Sequence, residues 1–522
     1  MAARSVVSHG SESLDFFIRR CPPKIEIELF GQKPGLVTSY TTGDRIEGNV
    51  NIRVDTDIRF DEVEIIFQGM LSVKQSVTVF GIGTAELTFP SGSSHTIVER
   101  AACPGRTGSQ QMFLKLRQPI EESDYPCPRV MEAGRTYSYP FTFVVPDRLL
   151  PQACTHPRSS IHIHNAHTSL PPTLGDPMLA GNGKTLLDDM APSMSQISYI
   201  IRAAVLKRSA GDQGGLKTLA NRAKKVRIIP TVDEEPPINV ADHTLYTTRK
   251  EKSVKRGFLR GKLGRLVASA SQPSPIRLLP PGCVTDETIS TAATIHLRFD
   301  PVGNEQPPQL GSLSSKIRVN TFFGAGPWED IPTQRTSTLA SQVGQGLFVE
   351  SVPISNMCVA SAQWKKHSSQ TEPDRRPSMQ SMISDDSLES SPSGPHTTYF
   401  TTSLVIPISL PTKKAFVPTF HSCLMSRIYA LDLSLTYHTP GANVLTPTIS
   451  LRLPIQVITR PKNALSTKTE STVIVTPEEV DEFFQPRSIV PPPASVIAMN
   501  MAPPEYSEAR VIQRARNAPT TS

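Results

Sequence analysis

The segment Ile46-Glu47-Gly48-Asn49-Val50-Asn51-Ile52-Arg53-Val54 decides the fold class. Apolar Ile46, Val50, Ile52 and Val54 alternate with Glu47, Asn49, Asn51 and Arg53, a period of two that an extended chain converts into one apolar and one polar face. The stretch therefore reads as a half-buried β-strand. Upstream, Ile25, Ile27 and Leu29 alternate with Glu26 and Glu28 in the same way, so another half-buried strand covers Lys24 to Phe30. Further strands are expected at Val63 to Phe67, Val77 to Phe80, Met112 to Leu116, Tyr137 to Val144, Ile161 to Ile163, Ile197 to Val205 and Val226 to Ile229. Together they predict an antiparallel β-sandwich over residues 24–232, after a flexible N-terminus at 1–23.

A second set predicts another sandwich over 274–458: Ile276 to Leu279, Ile295 to Phe299, Ile317 to Phe323, Leu404 to Leu410, Ile428 to Leu435 and Ile449 to Val457. In the last of these, Ile449, Leu451, Leu453, Ile455 and Val457 share one face. The expected fold class is all-β, two tandem antiparallel β-sandwiches with a disordered linker, loop and C-terminal tail. The 48 prolines in 522 residues support this. They make up about 9% of the chain against a usual ~5%, and each removes a backbone donor that a long helix needs.

Three segments have no core pattern. Residues 233–273 read as a basic linker, 365–398 as a disordered Ser-rich insert, and 459–522 as a disordered tail with one short helix at Thr476-Pro477-Glu478-Glu479. The net charge of +7 comes from 54 basic and 47 acidic residues. Arg249 to Arg265 alone holds Arg249, Lys250, Lys252, Lys255, Arg256, Arg260, Lys262 and Arg265 against Glu251, which is also +7, so the rest of the chain balances. A local cluster of this kind does not describe a nucleic-acid-binding surface. Leu259, Leu263 and Leu266 fall at helical spacing within it, so a basic amphipathic helix on anionic lipid is one reading, with Lys255, Arg256, Arg260 and Lys262 as contacts. Gly257, Gly261 and Gly264 weigh against such a helix and favour a solvated linker.

Seven cysteines, an odd and widely spaced number without a C-x-x-C pair, read as free thiols of a reducing compartment. With neither a signal-peptide core nor an apolar run of about 18 residues, the sequence reads as that of a soluble intracellular protein. His156, His162, His164 and His167 are close in sequence, and on a strand His162 and His164 would share a face. Cys154 is the one thiol nearby, so the ligand set is incomplete and no metal or other cofactor is expected. Gly181-Asn182-Gly183-Lys184-Thr185 resembles the end of a phosphate-binding loop, but Met178 stands where the first glycine is required. It reads as a surface loop. Neither a G-x-S-x-G elbow nor an H-E-x-x-H helix occurs, so no enzyme is expected.

Pro503-Pro504-Glu505-Tyr506 is a P-P-x-Y motif. Two prolines preform a polyproline II turn that fits the aromatic groove of a WW domain, and Tyr506 fills a neighbouring pocket. Arg375-Arg376-Pro377-Ser378 suits a basophilic kinase, and Ser384-Asp385-Asp386 an acidophilic one. Ser378 and Ser384 are thus candidate phosphorylation sites, where phosphate would add nearly two negative charges.

Taken in order, the segments resemble the fungal α-arrestins, the arrestin-related trafficking adaptors. Gly43-Asp44-Arg45-Ile46-Glu47-Gly48-Asn49-Val50, followed by Val63 to Gly69, is similar to the opening of the first arrestin domain. Gly134 to Pro146, Leu150-Pro151, Leu170-Pro171-Pro172 and Ile197 to Ala203 continue it, and Val417 to Phe420, Arg427-Ile428-Tyr429 and Leu451 to Val457 resemble closing strands of the second. The resemblance implies a non-enzymatic, cytoplasmic adaptor, recruited peripherally to plasma membrane or endosomes. Such a protein brings a WW-domain HECT-type ubiquitin ligase to membrane transporters or receptors, and the ligase contact maps to Pro503, Pro504 and Tyr506. Members often carry several P-P-x-Y copies, whereas this chain has one. The alternative is a sorting or signalling scaffold of the same fold that acts without ubiquitin ligase.

Overall fold

A computed structural model describes residues 21–74, 84–88, 94–99, 108–181, 183–209, 215–236, 246–256, 260–281, 289–332, 345–368, 398–439 and 446–461. The fold is nearly all β, in several sheets. The deciding segment lies in the strand Arg45–Arg53, at the centre of a three-stranded antiparallel sheet between Lys24–Leu29 and Thr136–Val144. Its burial alternates strictly along the strand, as the period-two pattern requires. Gly48 sits where a side chain cannot fit: an added Cβ would lie 2.0 Å from the Glu28 carbonyl oxygen and 2.7 Å from the Phe141 ring. Gly43 has φ +79°, the left-handed turn conformation that glycine adopts without steric cost.

A five-stranded sheet runs in the order Ser39–Tyr40, Leu216–Ile228, Ser195–Arg208, Glu62–Lys74 and Gly108–Gln118. Ile46, Val50 and Ile52 share a hydrophobic cluster with Ile65, Phe67, Tyr199 and Ile201 from this sheet. The cluster also takes in Phe323, Phe348, Val417, Phe420, Leu424 and Met425, far along the chain. A second cluster lies between two further sheets. One is ordered Arg249–Arg256, Arg260–Ala270, Ser290–Pro301, Thr398–Ser409 and Lys365–Ser368. The other is ordered Phe420–His421, Met425–His438, Gln309–Gly324, Gln345–Cys358, Ser94–Glu99 and Thr84–Thr88, with Thr448–Ile455 also paired to Met425–His438. Thr84–Thr88 and Ser94–Glu99, an antiparallel strand pair from the first half of the sequence, therefore extend a sheet built by the second half.

Several expectations need correction. The stretch read as a basic linker contains an antiparallel pair, Arg249–Arg256 with Arg260–Ala270, which joins the Ser290–Pro301 strand. Val254, Leu263 and Leu266 are buried in the second cluster. Leu263 and Leu266, two of the apolar residues that suggested a lipid-facing helix, thus line a protein core, and Gly261 and Gly264 stand in a strand, while Leu259 and Gly257 lie outside the described residues. At Gly264 an added Cβ would meet the Phe299 ring and the Asp300 carbonyl at 2.5 Å. Earlier in this stretch, Glu235 N–H donates to Gln456 Oε1 at 3.0 Å, and Thr247 pairs with Arg452. The Ser-rich insert begins and ends in paired strands, Lys365–Ser368 with Thr398–Ser409. Thr459, placed at the start of the tail, closes the strand Val457–Thr459 and is buried. Ile161–Ile163, read as a strand, belongs to the helix Ile161–His167, with Ile163 and His167 inward one turn apart.

Among the described residues, no helix is long and apolar enough to cross a membrane.

Candidate functional site

The most concentrated chemistry lies where the segment 188–191 meets the second half of the chain. Arg427, near the start of the strand Met425–His438, is fully buried. Its Nη1 donates to the Asp189 carbonyl at 2.6 Å and its Nη2 to the Met190 carbonyl at 2.7 Å. Nε and Nη2 also donate to Thr321 Oγ1, at 3.1 and 2.8 Å. Met190 has φ +58°, a rare conformation for a residue with a side chain, in the segment that presents both carbonyls to the guanidinium.

The Asp189 carboxylate is itself buried and accepts from the backbone N–H groups of Gly175 at 2.6 Å and Ala191 at 3.2 Å. Burial raises its pKa, while Arg427 and the backbone donors pull the other way. Beside it, Lys414 Nζ donates to Asp188 Oδ2 at 2.6 Å and to Glu350 Oε1 at 2.7 Å, and Glu350 is fully buried. Burial alone would lower the Lys414 pKa, but these two hydrogen bonds outweigh it and hold the ammonium above its ordinary range. The 414–415 backbone pairs with Asp188 as well. The result is a clasp: one short segment gripped by two distant charged groups, Arg427 and Lys414, the latter held in turn by Glu350.

A second cluster adjoins this region. Cys154 follows the short 3-10 turn Pro151–Ala153, His156 lies in the next loop, His167 ends the helix Ile161–His167, and Cys423 sits in the turn between Phe420–His421 and Met425–His438. Cys154, His167 and Cys423 are buried and His156 half-buried. Cys154 Sγ lies 3.3 Å from His156 Nε2 and 3.8 Å from His167 Nδ1, and the two ring nitrogens are 3.3 Å apart. All four ligand atoms lie within 4.8 Å of one another. His156 Nδ1 is 2.7 Å from the Pro157 carbonyl oxygen. Because that oxygen only accepts, Nδ1 carries the proton in the neutral ring and the Nε2 lone pair faces the cluster. Burial, with Cys154 next to it, pushes the Cys423 thiol up to about 12. The fourfold histidine set expected from sequence is therefore divided. His156 and His167 converge, whereas His162 is exposed and His164 is not part of the group. The thiol that seemed to be lacking comes from Cys423.

The basic residues singled out in the sequence lie on the new strand pair. Lys255 and Lys262 are exposed and directly opposite one another, and Arg256 is opposite Arg260. Arg256 pairs with Glu305 at 2.7 Å, and Arg265 with both Glu251 and Asp300. Much of the local charge is thus partnered. Pro503, Pro504, Tyr506, Ser378 and Ser384 lie outside the described residues, as does the short helix expected at Thr476 to Glu479. The glycine-rich segment follows the short helix Pro177–Ala180, whose Asp176 N-cap accepts from the Met178 and Leu179 N–H groups. Gly181 is buried, its Cα so close to Thr185 that an added Cβ would lie 1.8 Å from that carbonyl oxygen, so this is no open phosphate cradle.

Sequence reasoning missed Asp188, Asp189, Glu350, Lys414 and the role of Arg427. One signal was available for Arg427: a charge embedded between Met425 and the apolar run from Ile428, which a strand buries only with partners. Comparison with known proteins returned no matching family model and no matching curated sequence.

Proposed function

We propose that this chain is a non-enzymatic adaptor: an arrestin-like pair of β-sandwiches that engages membrane transporters or receptors and recruits a WW-domain, HECT-type ubiquitin ligase through Pro503, Pro504 and Tyr506. The single observation that carries the reading is the P-P-x-Y motif in a chain whose described residues are nearly all β, in several sheets. Two hydrophobic clusters support the tandem-sandwich description. The buried clasp at Arg427 supports a rigid body, which suits recognition of a partner without change of shape. In this reading the protein is cytoplasmic and reaches membranes through its cargo, with exposed Lys255 and Lys262 available to anionic headgroups.

The test is capture of the full chain by isolated WW domains, comparing the natural sequence with the double substitution Pro504→Ala and Tyr506→Ala. Loss of at least tenfold in affinity is expected, since the proline turn and the aromatic anchor are both removed. Equal capture of both proteins would sink the ligase reading and favour a sorting or signalling scaffold that works without ubiquitin.

A further inference from the structure

The cluster of Cys154, His156, His167 and Cys423 has the dimensions of a metal site. A tetrahedron with zinc–sulfur bonds of about 2.3 Å and zinc–nitrogen bonds of about 2.0–2.1 Å separates its ligand atoms by roughly 3.3 Å (N to N), 3.5 Å (N to S) and 3.8 Å (S to S). The two ring nitrogens here are 3.3 Å apart, and Cys154 Sγ stands 3.3 and 3.8 Å from them. Cys423 completes the set, with every ligand atom inside 4.8 Å.

Protonation chemistry points the same way. The proton on His156 Nδ1 is fixed by the Pro157 carbonyl, which leaves Nε2 as a donor of electrons to the centre. A backbone carbonyl holding the far ring nitrogen is the usual outer-shell support of a metal-bound histidine. The ligand loop is pinned in turn: Arg158 Nη1 donates to the Cys154 carbonyl at 3.2 Å, and Gln111 Nε2 to the Ala153 carbonyl at 3.0 Å. On the other side, the Trp328 backbone N–H donates to the Cys423 carbonyl at 2.8 Å.

We propose that these four residues bind one zinc ion in a closed Cys2His2 site. With four protein ligands and no open position, its role is structural. The ion would tie the 154–167 loop to the turn that launches the strand carrying Arg427, adding a second fastening beside the clasp. The inference stands apart from the adaptor reading and survives its failure.

The test uses the full chain produced in zinc-supplemented medium and dialysed against metal-free buffer. Elemental analysis is expected to find about one zinc per chain, and cobalt exchanged into the unmodified protein is expected to give the visible absorption of a tetrahedral thiolate complex. Cys154→Ser with Cys423→Ser should abolish both, whereas His162→Ala, an exposed change on the same helix, should preserve them. The cobalt spectrum of the unmodified chain decides the matter even if the double variant misfolds. A zinc-free chain without that spectrum, or a Cys154–Cys423 disulfide in the freshly isolated protein, overturns the proposal.

Discussion

Arg427 is held by three acceptor oxygens and lies beside a buried carboxylate, so its loss would strand partners as well as remove a contact. Each buried acceptor left without its donor costs about 1–3 kcal/mol. Arg427→Ala is therefore expected to lower unfolding stability by that amount in urea titration, and a loss below ~1 kcal/mol would show that water replaces the guanidinium. Buried phenols give a pH signature at the same scale. Burial raises the Tyr139 and Tyr246 hydroxyls from 10.0 to about 12. The folded chain then holds more protons than the unfolded chain between those values, so stability is fully present below pH 10 and falls as pH rises toward 12. The raised Lys414 acts in the same direction. Tyrosinate absorbance should lag behind that of the denatured chain in this window, and denaturant midpoints should decline across it.

At the level of elements, the strand pair Arg249–Arg256 and Arg260–Ala270 separates two readings of one sequence. If Leu266 faces lipid, shortening it weakens vesicle binding and leaves folding alone. Packed in the core with no exposure, Leu266→Ala should instead cost about 2–5 kcal/mol, read from the denaturant midpoint. Charge removal at exposed Lys255 and Lys262 should leave stability within about 0.5 kcal/mol. Co-sedimentation of that variant with anionic vesicles then reports lipid contact by itself, apart from folding. The sequence hid these strands because Arg, Lys and Gly outnumber the inward residues, and because Leu263 and Leu266 match a helix spacing as well as they match a strand with a bulge. The register does shift near Lys255. In contrast, Arg45–Arg53 was legible at once, since its alternation is unbroken and both its faces are committed.

Across the whole molecule the two halves of the sequence share material. Phe323, Phe348, Phe420 and Met425 lie in the first hydrophobic cluster, the strands Thr84–Thr88 and Ser94–Glu99 extend a sheet of the second half, and Arg427 grips 189–190. A fragment of residues 24–232 would expose apolar surface that the full chain covers. It is expected to aggregate or to melt well below the full chain, whereas the full chain should unfold in one transition with coincident near- and far-ultraviolet circular dichroism. A stable monomeric fragment would instead show that each half folds alone.

Period-two alternation was enough to establish an all-β protein from the sequence, because a strand's two faces are set by neighbours one and two residues away. Proline density excluded long helices on equally local grounds. The helix at Ile161–His167 escaped because Ile161 and Ile163 alternate with histidines, and a helix of about two turns offers too few residues to distinguish the periods. Which distant side chains meet was decided by tertiary structure alone. Asp189 with Arg427, Glu350 with Lys414, and Cys423 with Cys154, His156 and His167 are each brought together by loop closure over long stretches of chain. Such pairings leave no periodic trace, since their cost and their reward arise only when the sheets pack.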